Sequence, residues 1–272
     1  MAASTPQAVH EVTASPAFER FARTGYVARG VIYALMGILA IQLARGVGGE
    51  KPSQEGAMRL IADQTFGRVL LLLVALGLAG YAALRFTQAF VGRTSEAGRF
   101  STSDRIAAFG SACAYTAFLA LAISLLVGSA GGQGGQEPKA ATADALGWPA
   151  GRAIVFAAGA LFIGVGAYQA YLGVSRKFLS YTKTEYMSQT THRRFTALGV
   201  VGHFARAVTF GLVGIFLVKA AVQYDPQEAV GIDGALQRLT THAYGTVALI
   251  AVAVGLIAFG IYSVVDARYR AI

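Results

Sequence analysis

Phe21 to Ala44 reads FARTGYVARGVIYALMGILAIQLA, an apolar run entered through Arg23 and interrupted once more, by Arg29. About 20 apolar residues suffice to cross roughly 30 Å of hydrocarbon as a helix. In lipid a lone segment has to be helical, because only a helix satisfies its own backbone N–H and C=O groups. A close copy returns at Leu198 to Ala221, LGVVGHFARAVTFGLVGIFLVKAA, with Ala205-Arg206-Ala207 where the first has Ala28-Arg29-Gly30. A weaker copy lies between them, Phe109 to Val127.

Six runs of this kind are present: Gly25–Ala44, Gly67–Val91, Ile106–Val127, Arg152–Val174, Thr196–Val222 and Tyr244–Val265. The chain of 272 residues is 55% apolar and 14% charged, against about a quarter charged in soluble domains. The expected fold is an all-α membrane protein. Its single cysteine, Cys113, falls inside the third run and reads as a small packing residue, with no CxxC pair for redox or metal chemistry. Residues 1–20 are polar and read as a cytoplasmic segment without the apolar core of a cleavable signal. Ser15 and Pro16 suit a helix start, with Phe18 and Phe21 beside Arg20 and Arg23 as a short amphipathic lead-in along the inner surface.

The runs repeat. An offset of 177 pairs Gly25 with Gly202, Arg29 with Arg206, Tyr33 with Phe210 and Gly37 with Gly214. An offset of 85 carries Gly25 to Gly110 and Tyr33 to Phe118, and puts Ala114 where the arginine would be. Offsets of 84 and 178 align Gly67 with Gly151 and Gly245. Residues 21–272 thus read as one six-helix domain with repeats 21–91, 104–174 and 194–268, each a helix, an outer loop and a helix. A two-span unit begins and ends on one side, so the copies are expected to be parallel, in a pseudo-threefold arrangement.

Small residues mark the expected close contacts. Gly30-x-x-x-Ala34 and Ala207-x-x-x-Gly211 predict equivalent small faces on helices one and five, while helix three has Tyr115 and Leu119 there. Ala160-x-x-x-Gly164 and Gly166-x-x-x-Ala170 predict close packing along helix four. Two outer connections carry amphipathic patterns that suit the membrane interface, AMRLIADQTFG and ALQRLTTHAYG. The middle one holds GSAGGQGGQEPK, read as flexible, then Trp148 as an interfacial anchor. The inner 175–195 loop, basic and aromatic, is expected to lie against headgroups.

Lys and Arg give the orientation. Twelve lie on the side of the termini: Arg20, Arg23, Arg93, Arg99, Arg105, Arg176, Lys177, Lys183, Arg193, Arg194, Arg268 and Arg270. Eight lie opposite: Arg45, Lys51, Arg59, Arg68, Lys139, Arg152, Lys219 and Arg238. The positive-inside rule then places both termini in the cytoplasm of a bacterial inner membrane. The net charge of +9 reads as topology signal and attraction to anionic lipid. It does not read as a nucleic-acid face, since the basic residues sit in short loops.

The stretches GYVARGVIYALMG, GAMRLIADQTFGRVLLLLVALGL, HFARAVTFGLVG, GIDGALQRL and FGIYSVVDARYR together resemble the bacterial membrane family called domain of unknown function 1206. The resemblance runs from Phe18 onward and implies three tandem two-helix repeats. It supplies no activity, ligand or catalytic residue. The second repeat, without the Ala-Arg pair, departs furthest from it.

Arg29, Arg206 and Arg85 are the candidate binding residues, for an anionic lipid or solute. Arg29 lies roughly 6–8 Å into its span by helical rise, and a charge within a span needs a partner or a route to water. Snorkelling to the headgroups, a basic pocket between helices, or salt bridges to Asp266 or Asp104 would each serve. His203, Gln88, Gln169 and Asp266 are candidate intramembrane polar contacts. His203 has no histidine at matching depth and reads as packed, not as a metal or haem ligand. No HExxH, GxSxG or clustered intramembrane carboxylate pair is present, so neither catalysis nor a cofactor is expected. The expected role is a non-enzymatic accessory component that binds lipid, a membrane-protein partner or a second copy. The alternative is a channel or small-solute transporter along the repeat axis, marked by a continuous polar cavity.

Overall fold

The computed structural model describes residues 16–90, 102–128, 138–241 and 244–270. These form nine α-helices: α1 (Pro16–Ala44), α2 (Gln54–Ala62), α3 (Gly67–Phe90), α4 (Thr102–Val127), α5 (Pro138–Leu146), α6 (Gly151–Ser175), α7 (Gln189–Gln223), α8 (Ile232–Leu239) and α9 (Gly245–Tyr269). Six of them, α1, α3, α4, α6, α7 and α9, are long and apolar enough to cross a membrane. Each repeat is therefore long helix, short helix, long helix.

The short helices come as a set of three, not two. α5 falls 84 residues after α2, in the connection read as flexible; residues 129–137 of that connection lie outside the described residues, as do Ser15, His10 and His242. Its segment PKAATADAL has small residues where α2 and α8 carry large ones, and so lacks a readable amphipathic pattern. All three dock on the bundle, burying Met58, Leu146 and Leu236. Each then turns into its long helix at a glycine, Gly67, Gly151 or Gly245. A Cβ there would run into the carbonyl of Ala62, Ala145 or Leu239 respectively.

Neighbours follow the order α4, α3, α1, α9, α7, α6. The largest contacts lie between repeats, α6 on α7, α9 on α1 and α3 on α4, and α1 on α3 and α7 on α9 come next. Glycines set two of these distances. A Cβ on Gly30 would lie 2.7 Å from the Gly260 carbonyl oxygen, and one on Gly166, the repeat equivalent of Gly260, 2.9 Å from that of Ala207. The small faces of α1 and α7 thus meet equivalent faces of α9 and α6. At the third interface Tyr115 takes the place of the glycine and packs on Tyr81, with ring centroids 4.4 Å apart. Along α6 the close-packing positions are Gly159 and Gly166; Gly164, expected to share them, faces open space.

The cytoplasmic-side segments show detail that the sequence alone did not. The amphipathic lead-in is not a separate surface helix, because α1 runs unbroken from Pro16. Arg23 there donates to the carbonyls of Ala267 and Arg268 and so caps the C-terminus of α9. Part of the 175–195 loop folds inward, while Arg176, Lys183, Arg193 and Arg194 stay exposed. Phe178 is buried, stacked 5.0 Å from the His203 ring, and Thr182 bridges Arg270.

Candidate functional site

Arg29 does not snorkel. It is 5% exposed, its Nε donates to Ser263 Oγ at 2.8 Å and its Nη1 to the Tyr81 hydroxyl at 2.7 Å. Its Nη2 lies 3.9 Å from Asp266 Oδ2. The small side chains beside it, Ala28 and Gly30, let α3 and α9 approach closely enough for both to reach the guanidinium. Tyr81 then serves a second cation, accepting from Arg85 Nε at 3.0 Å and Nη2 at 2.6 Å. Arg85 Nη1 donates to Gln88 Oε1 at 3.1 Å on the same helix.

A ring links the next arginine. Phe259 lies 5.2 Å from the centre of the Arg29 guanidinium and 4.5 Å from that of Arg206. Arg206 is half-buried, and its Nη1 and Nη2 donate to the Gln169 amide oxygen, both at 3.0 Å, once the amide is oriented to the donors it faces. Its Nε has no partner among the described residues. Arg85, Tyr81, Arg29, Phe259, Arg206 and Gln169 therefore form one continuous string of cation, ring and amide contacts.

The repeat explains the string. Arg85, Gln169 and Ser263 occupy the same position in the second long helix of the three repeats. Gln169 bonds the first-helix arginine of the following repeat, Arg206, and Ser263 bonds Arg29 in the same way. At the remaining interface the first-helix position is Ala114, and the second-helix position is itself arginine, Arg85. One guanidinium therefore belongs to each inter-repeat interface, supplied twice from one side and once from the other. The sequence reading saw the missing arginine in repeat two; aligning the second helices at position 85 would have revealed its replacement.

Asp266 is fully buried and takes Arg270 Nη1 at 3.2 Å and Thr182 Oγ1 at 3.0 Å. Its carboxylate is the one that pairs with Arg29 and Arg270 within this layer. Asp104 lies 3.9 Å from Lys177 Nζ and is hydrogen-bonded to Tyr168, the neighbour of Gln169. His203 is buried and spends its Nδ1 on the Gly199 carbonyl at 2.7 Å, a packed histidine. No group of three or more metal-ligating side chains occurs among the described residues. Surface cavities lie beside Arg152 and Val222 and beside Lys51 and Arg238, at the short-helix end of the bundle.

These features are those of a multi-pass membrane protein with a cationic interior layer. Uncharacterized protein YxxB of Bacillus subtilis (strain 168) is 32% identical over 256 residues, which cover 94% of this chain and 92% of that one. No solved structure matches. Residues 24–92, 106–176 and 201–270 each match the family described as Domain of Unknown Function (DUF1206), one stretch per repeat, and the chain belongs to that family.

Proposed function

We propose that this chain is a non-catalytic binding component of the bacterial plasma membrane, with cytoplasmic termini, that holds an anionic group against its arginine layer. One observation carries the reading: Arg85 and Arg206 are held in the layer by a tyrosine hydroxyl and glutamine amides, while the buried carboxylate of Asp266 pairs with Arg29 and Arg270. Uncompensated charge in a low-dielectric interior is costly, and an anion beside Arg85 and Arg206 offsets it. Charge-assisted bonds from planar guanidiniums to a phosphate or carboxylate are among the strongest available. The unused Nε of Arg206 is a donor already in place.

The interior argues against conduction as the role. Tyr33, Tyr81, Tyr115 and Phe259 fill the middle of the bundle.

The test is native mass spectrometry of protein purified in mild detergent, wild type beside Arg206→Gln. Bound anionic lipid or solute is expected on the wild type and is expected to fall at least 10-fold in the variant. A folded wild type free of any anion, or equal retention by both proteins, would sink the reading.

A further inference from the structure

In repeats one and three the two long helices close on each other along a seam of small residues. Ala28 meets Gly77 and Gly25 meets Tyr81 in the first; Ala205 meets Gly255 and Gly202 meets Phe259 in the third. The same positions in repeat two are Cys113, Leu161, Gly110 and Val165. A Cβ at Gly110 would touch nothing within 4 Å, Leu161 is 67% exposed and Cys113 is exposed. Among the described residues, α4 and α6 make no contact comparable to those of the other two hairpins.

The reason lies in two side chains. A Cβ on Gly77 would already lie 2.6 Å from that of Ala28, so a leucine at the glycine position opposite a cysteine at the alanine position holds the helices apart. The seam is bridged toward its cytoplasmic end, where Asp104 of α4 bonds Tyr168 of α6 and pairs with Lys177. Farther along, α4 carries exposed Cys113 and Ala117 on the Gly110 face, and α6 carries exposed Leu161. Half-buried Arg85 and Arg206 sit on the helices that flank the opening, α3 beside α4 and α7 beside α6.

We propose that the open seam of the second repeat admits one acyl chain of an anionic phospholipid, whose phosphate lies against Arg85 and Arg206. Apolar walls ending at two cations match a lipid's apolar tail and anionic head. This rests on the anion-binding reading above and adds the port and the class of ligand. It also gives a reason for departing from the repeat pattern in the middle hairpin alone.

The seam can be read through Cys113 on otherwise native protein. Delipidated protein in detergent is labelled with a membrane-soluble maleimide, with phosphatidylglycerol, phosphatidylcholine or inorganic phosphate added. Phosphatidylglycerol is expected to slow labelling at least 10-fold, and phosphatidylcholine and inorganic phosphate less than 2-fold. Arg85→Gln/Arg206→Gln is expected to abolish the protection. Leu161→Gly, which restores the seam residue of the other repeats, is expected to slow labelling without lipid and to reduce the phospholipid retained in native mass spectrometry. Equal protection by phosphatidylcholine or by inorganic phosphate would overturn the proposal. So would protection that tracks protein concentration without lipid, the mark of a second copy in the seam. Unprotected Cys113 in a wild type that still binds anion through Arg206 would reject the port and leave the anion-binding reading intact.

Discussion

Tyr81 and Phe259 stand at the same position of the first and third repeats, and both rings lie against one guanidinium, Arg29, at 5.1 and 5.2 Å. The difference between them is a hydroxyl. That oxygen accepts from both Arg29 and Arg85, so it draws two like charges to a single point.

Tyr81→Phe makes the first repeat resemble the third and leaves both arginines short of a partner. Hydrogen bonds to charged groups contribute about 1.5–3 kcal/mol each. The variant is expected to lose about 2 kcal/mol or more, read as a lower unfolding midpoint in a fixed detergent. An unchanged midpoint would mean the hydroxyl does not hold the layer together.

Asp266→Asn removes the buried carboxylate shared by Arg29 and Arg270. Breaking a buried pair on one side costs about 3–5 kcal/mol, because the remaining charge stays buried. Adding Arg270→Met is expected to recover part of the loss, and a double-mutant cycle measures that coupling. Strict additivity would show that the two side chains act independently.

Gly245→Ala tests the turn that opens α9. The added methyl meets the Leu239 carbonyl, so α8 and α9 must separate, and loss of folded yield or of several kcal/mol is expected. Gly164→Ala is the control, since a Cβ there touches nothing. It is expected to be neutral or to stabilise by up to about 1 kcal/mol through helix propensity. If the two variants behaved alike, close approach would not be what selects glycine at 245.

Glu228 lies in the connection between α7 and α8, bonded to Arg238 at 2.5 Å and to Lys219 at 3.0 Å. Those two bonds hold its carboxyl below the usual value of 4.5. A depressed carboxylate contributes stability that is complete above its unfolded value and fades as pH falls through the folded one. Hydrogen exchange around residues 226–239 is thus expected to be flat above about pH 5, once corrected for intrinsic rates, and to lose protection at more acidic pH. Glu228→Gln is expected to remove that acid dependence, and its persistence would point to another group.

The spans were legible because the bilayer enforces them. A run such as Phe21 to Ala44 has few alternatives, and the repeated Ala-Arg pair exposed the triplication. α5 was hidden because its Ala-rich segment buries little, and its place follows only from the spacing of Gly151. The inward fold of the 175–195 loop was illegible for a different reason. Phe178 looks like an interfacial aromatic until Gly199 and His203 are seen to leave room for its ring. Arg29 and Arg206 were found as charges in apolar surroundings. Gln169 already stood out as an intramembrane polar contact, whereas Ser263 looks like an ordinary polar residue of a span, and only contact between repeats shows which arginine each one serves.

The bond from Arg29 to Ser263 spans 234 residues. During synthesis the first helix reaches the bilayer carrying a cation whose partners on the last helix have not yet been made. A nascent chain stopped before α9 would hold that charge without Ser263, Asp266 or Phe259. Membrane insertion can proceed hairpin by hairpin, but the opening helix settles only after the closing one arrives. A truncated product would therefore be a natural target for quality-control proteolysis, however hydrophobic its spans.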